Sequence, residues 1–185
     1  MNNESDMNKI TRIYSLCELL LSARQSAWEK KRVDISDIQK QVDSLAESIT
    51  TGSTEDDVLK IFFLQRFAAQ YLKPEQKTKI GSILAASQES FPILKTLRET
   101  LGQITTESSR IFINSGDLYT NQTHAFTLPT LSNPVANTLI DLECRRMQVD
   151  LKRPELKNYD YQIKSTPKND FVLFELSKNG TDSKA

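Results

Sequence analysis

Cysteine occurs twice, histidine once and glycine five times in 185 residues, and each shortage removes a class of chemistry. Two cysteines, Cys17 and Cys144, are too few for a disulfide framework or a cysteine zinc site. The single histidine, His124, has no second His or Cys near it in sequence, so a histidine metal centre lacks its other ligands. As a general base it has no evident nucleophile or orienting partner. The glycines build neither a G-x-x-x-x-G-K-[ST] nor a G-x-G-x-x-G phosphate loop, and G-x-S-x-G, H-E-x-x-H and C-x-x-C are also missing. No window approaches the roughly 20 apolar residues that span a bilayer. The N-terminus is polar and acidic before its apolar residues begin, without the basic start and apolar core of a secretory signal. Charge of one sign is not in excess either: 24 Lys and Arg balance 24 Asp and Glu, which leaves no global field to draw nucleic acid or an anionic membrane. These absences lead us to expect a reducing, cytoplasmic setting, no membrane span, no metal and no cofactor.

What is present is helical patterning. Hydrophobic content of 38% and charged content of 26% suit a folded domain with a real core. In the first segment Ile10, Ile13, Leu16, Cys17, Leu20, Leu21 and Trp28 share one wide face, with Asp6 as the expected N-cap. A second segment, Asp34 to Ile49, carries Ile35, Ile38, Val42, Leu45 and Ile49. Thr54 and Asp57 then announce a third helix through capping-box spacing. At 100° per residue its side chains Val58, Ile61, Phe62, Leu64, Phe67, Ala68, Tyr71 and Leu72 cover more than half the circumference. A helix that apolar must be wrapped by others, which puts it at the centre of a bundle. Pro74 suits the first position of the next helix. Ile80, Leu84, Phe91, Leu94 and Leu101 follow, with Pro92 forcing a kink or a break, since an interior proline costs about 3 kcal/mol.

Residues 113–133 have no clear helical period and read as a long loop, in which Phe126, Leu128 and Leu131 pin the chain while Tyr119 and His124 face outwards. Asn133 and Pro134 open a last helix, to about residue 151. Beyond it the period drops to two: Tyr159, Tyr161 and Ile163 alternate with polar residues, and the apolar run from Phe171 to Leu176 follows a turn-forming "STPKND". The expected fold is mainly α, a bundle of five or six helices over residues 1–151 with a small C-terminal β-hairpin over 152–178 packed on it, and a disordered tail over 179–185.

Several side chains stand out against this frame. Arg24 lies in the apolar arc of the first helix, where it snorkels or stacks on Trp28. Glu143, Arg146 and Asp150 are spaced for a local ion-pair string. Three acids at 55–57 look like a metal cluster but are what the dipole of a helix N-terminus favours. In the hairpin, Phe171 and Leu173 alternate with Val172 and Phe174, so both faces of that strand are apolar and one needs a further cover.

No catalytic, cofactor-binding or metal-binding residue follows from this pattern. The expected role is a non-enzymatic interaction module: an adaptor, a secretion-chaperone-like factor or a regulatory subunit. It would engage a protein partner or a second copy through helical faces and the hairpin edge. The candidate surface is Arg24, Trp28, Tyr119, His124, Phe126, Glu143, Arg146, Phe171, Val172 and Phe174. Two alternatives are kept. A winged-helix-like nucleic-acid binder would read with residues 134–151, although three acids on that helix and the neutral chain disfavour it. An enzyme would bring Arg24, Glu143 and Arg146 together in an internal polar pocket.

Overall fold

A computed structural model describes residues 3–49, 52–108, 122–154, 156 and 160–178. Six helices occur among them: α1 (Asn3–Trp28), α2 (Ser36–Ser48), α3 (Glu55–Phe67), α4 (Pro74–Ser87), α5 (Ile93–Ser108) and α6 (Pro134–Asp150). Three strands, β1 (Gln122–Pro129), β2 (Tyr161–Pro167) and β3 (Phe171–Lys178), form one antiparallel sheet in the order β1-β3-β2. The mainly-α architecture and the terminal hairpin, β2–β3, are both present. The chain divides into two compact units, Met1–Ala23 with Arg32–Leu97, and Arg24–Lys31 with Arg98–Ala185.

In the first unit α3 is the enclosed element. All seven residues from Val58 to Leu64 are buried, Lys60 included, as expected for a helix apolar on most of its circumference. Each large apolar side chain so removed from water contributes about 1.5–3 kcal/mol. The Thr54 hydroxyl accepts the Asp57 N–H at 3.1 Å, capping the first turn. The helix stops earlier than its apolar run. After Phe67 the chain tightens into a single 3-10 turn, Ala69–Tyr71. Lys73 is then extended, as a residue preceding proline must be. Pro74 opens α4, and Gln76 reaches back to accept the Lys73 N–H. The segment around Pro92 is a break between two helices, α4 ending at Ser87 and α5 starting at Ile93. At the N-terminus α1 begins at Asn3, so Asp6 lies inside the helix and does not cap it.

The second unit starts with the last turn of α1. There the Lys31 N–H bonds the Ser26 carbonyl and the Lys30 N–H bonds that of Ala27. This is a Schellman stop, with Lys30 at φ 55° in the position glycine usually takes. Asn133 caps α6 through the Val135 N–H at 2.8 Å. The Asn137 carboxamide holds both the N–H and the carbonyl of Leu131, fixing the turn between β1 and α6.

The loop expected over 113–133 needs correction: residues 122–129 form β1, paired along its length with β3. Strand alternation puts His124, Phe126 and Leu128 on one face and Ala125 and Thr127 on the other. His124 therefore shares the face of Phe126 and is half-buried rather than turned outwards. On that inner face Phe126 stacks on Phe174, with ring centroids 5.4 Å apart. Leu151, Tyr161 and Leu176 form a buried cluster against which Phe126, Leu156 and Ile163 pack. Tyr119, the rest of the expected loop before residue 122, and the 179–185 tail lie outside the described residues.

The hydrogen-bond phase of the sheet decides which backbone groups are spent. Thr130 bonds Asp170 and Lys168 bonds Phe171, and bonded pairs alternate with non-bonded ones in an antiparallel ladder. On β1, then, Leu128, Phe126 and His124 turn their N–H and C=O towards β3. Pro129, Thr127, Ala125 and Thr123 turn theirs away. On β2 the outward residues are Pro167, Ser165, Ile163 and Tyr161. The Gln148 side chain fills part of that outer edge of β2, accepting the Ile163 N–H at 2.7 Å and donating to the Tyr161 carbonyl at 3.4 Å.

Candidate functional site

The expected side chains gather in the second unit but in different partnerships from those the sequence suggested. Asp150, at the end of α6, receives the Arg24 fork in a two-point pair, Nε to Oδ1 at 2.5 Å and Nη2 to Oδ2 at 2.7 Å. Trp28 Nε1 donates to the same Oδ1 at 2.8 Å. Three donors from the last two turns of α1 thus converge on one carboxylate. Arg24 neither snorkels free nor stacks on Trp28: the guanidinium over the indole, 5.7 Å from its centroid, belongs to Arg153. The carboxylate of Asp150 holds the Arg24 pKa above its ordinary value through this bonding, with burial opposing it.

Glu143 is 1% exposed. Its carboxylate meets the Arg146 guanidinium at 3.1 Å and accepts the Thr105 hydroxyl at 3.2 Å. Of the expected string the Glu143–Arg146 pair is present, and Asp150 receives Arg24 from α1. The three residues of an enzymatic pocket do lie near one another, since Glu143 also raises the Arg24 pKa. Yet each is engaged by the protein itself, and Glu143 offers almost no surface to a substrate. His124 Nε2 stands 3.2 Å from Glu107 Oε2. Both cysteines are buried free thiols. Burial pushes the Cys144 thiol up, with Asp141 and Glu143 adding to the shift, so it is a poor nucleophile.

Of the hairpin candidates, Phe174 is fully buried and Val172 half-buried, so Phe174 offers no surface. This follows from β3 being the central strand, whose even-numbered residues face the core. Phe171, on the other face, is 39% exposed.

What sequence reasoning missed is a groove. A cavity of about 940 Å³ lies along the outer edge of β2, bounded by Gln25, Trp28 and Glu29 from α1, by Gln148, Val149, Leu151, Lys152 and Pro154, and by Asp160 to Lys164. Its lining mixes aromatic, aliphatic and carboxamide groups. Glu29 and Asp160 are set against Lys152 and Lys164, so it favours neither cations nor anions. The alternation of β2 was the only signal for it in the sequence. Among the described residues no group of three His, Cys, Asp or Glu is placed to hold a metal ion, and no helix is long and apolar enough to cross a membrane. Comparison of the chain with protein-family models, with curated proteins and with solved structures finds no match.

Proposed function

We propose that the chain is a non-enzymatic protein-interaction module that takes an uncharged, extended segment of a partner protein in the groove beside β2. The observation that carries this is the groove's lining. Carboxamides of Gln25 and Gln162 offer hydrogen bonds for a peptide backbone, while Trp28, Val149 and Ile163 supply apolar contact. Its volume stands at the upper end of small-ligand pockets, which leaves room for a short stretch of polypeptide. Adaptors, secretion-chaperone-like factors and regulatory subunits all work through such surfaces, and two buried free thiols suit the reducing cytoplasm where we place it.

The test is a photo-crosslinking residue at Gln162, exposed on the groove rim, compared with one at Gln65, exposed on α3. A discrete protein adduct at position 162 and none at 65 supports the proposal. Equal labelling at both sites, or none in any native extract, overturns it.

The nucleic-acid alternative draws on α6 being followed by a hairpin. It has less in its favour, because eight residues of α6 between Val135 and Cys144 are buried and a reading helix must offer its side chains to base edges. A shift of DNA mobility at low salt would restore it.

A further inference from the structure

The two outer edges of the sheet are treated differently, and the difference points to a second contact surface. Exposed edges invite pairing with another chain, and proteins usually blunt them with charge, proline or a covering group. On β2 the Gln148 carboxamide sits on Tyr161 and Ile163. Lys164 adds a charge, and Pro167 removes an outward N–H. Strand β1 has no Asp, Glu, Lys or Arg in its eight positions. Its one outward proline, Pro129, is at the far end. Among the described residues, no backbone group outside β3 bonds β1 at Thr123, Ala125 or Thr127.

We infer that β1 pairs antiparallel with β1 of a second copy of this chain, across a two-fold axis at Ala125. The sequence Thr-His-Ala-Phe-Thr over 123–127 is symmetric in its outward positions. Antiparallel pairing centred on Ala125 sets Ala125 against Ala125 of the second copy. It sets Thr123 against Thr127 of the second copy, and the reverse. Each of these pairs exchanges two backbone hydrogen bonds, because all three residues present N–H and C=O on that side. Ala125 and Thr127 are exposed, and a methyl side chain on the two-fold axis brings neither bulk nor like charge. A two-fold contact must be self-complementary, and this strand is. The two three-stranded sheets join into one of six strands. This surface is on the opposite side of the sheet from the groove, so it stands or falls independently of peptide binding there.

Sedimentation velocity of the full chain tests it. The wild type is expected to dimerise in the micromolar range. Ala125→Lys and Ala125→Glu, at an exposed site outside the core, each place like charges across the axis and are expected to sediment as monomers with unchanged circular dichroism. An equimolar mixture of the two is expected to regain the dimer, because opposite charges then face each other. A wild type that stays monomeric to about 0.1 mM overturns the inference. So does a dimer indifferent to both substitutions, or a pair of variants that fails to recombine while remaining folded. Protection of the Ala125 and Thr127 amides from exchange in dilute monomer also overturns it, since the edge would already be occupied.

Discussion

The carboxamide of Gln148 stands beside Ile163 where a neighbouring strand's peptide group would be, accepting the Ile163 N–H at 2.7 Å. Its other end reaches the Tyr161 carbonyl, so one side chain satisfies two outward groups of β2. Replacing it with alanine removes both bonds from a half-buried site and is expected to cost about 1–2 kcal/mol. Gln148→Glu keeps the acceptor for Ile163 but sets a carboxylate oxygen against the Tyr161 carbonyl, and is expected to cost at least as much at neutral pH. Urea denaturation measures the loss. Amide exchange should quicken at Ile163 and not at Gln162, whose N–H points to β3.

Asp150 holds Arg24 and Trp28 together, and the chain's single tryptophan reports on it directly. Arg24 keeps 42% of its side-chain surface in water, so screening limits the ion pair to about 1 kcal/mol or less. The Trp28 hydrogen bond adds a comparable amount. Asp150→Ala is expected to lower stability by about 1–2 kcal/mol and to shift the folded-state fluorescence to the red. Asp150→Asn, which retains an acceptor for the indole, should leave the emission closer to wild type.

Two backbone positions should respond in opposite directions. Lys30 takes a left-handed conformation at the Schellman stop, a site that costs a non-glycine residue about 1 kcal/mol. Lys30→Gly is therefore expected to raise the melting temperature by a few degrees. Gly52 lies where an added Cβ would come within 2.6 Å of Ile83 Cγ2 and 2.9 Å of Ser87 Oγ. Gly52→Ala should destabilise by about 1–3 kcal/mol, as overpacking does.

The acid limb of stability should carry a signature of Asp34. Its carboxylate accepts from the Ser36 hydroxyl and the Ser36 N–H, which hold its pKa below the ordinary 3.8. A depressed carboxylate contributes stability that is complete above the unfolded value and is lost as pH falls through the folded one. Asp34→Asn is thus expected to flatten the dependence of the urea midpoint on pH below about 4. Ser36→Ala should return the Asp34 titration, followed by NMR, towards 3.8. An unchanged titration in that variant would refute the assignment.

What the sequence disclosed and what it hid divide by distance along the chain. The enclosure of α3, the Thr54 and Asn133 caps, the prolines opening α4 and α6 and the break at Pro92 all arise from neighbours within a few residues. Each was therefore readable as spacing. The strand β1 carried a true signal, with His124, Phe126 and Leu128 alternating against Ala125 and Thr127. The pairing that makes it a strand, however, is with Phe171 to Lys178, far away in sequence. Flanking Asn, Thr and Gly residues made the same stretch resemble a loop. The partners of Asp150 were hidden for the same reason, Arg24 being 126 positions earlier and Trp28 122. Helical spacing points only to local neighbours such as Arg146, and a contact across that length of chain leaves no mark in it.

The capped side of the sheet also bears on how the chain behaves when concentrated. A molecule with two bare sticky sides adds copies without limit and grows into ribbons, whereas one with a single such side stops once that side is matched. Under the pairing inferred above for β1, Gln148 would act as a chain terminator by closing the margin at Ile163. Gln148→Ala would then be expected to turn that finite pairing into open-ended growth.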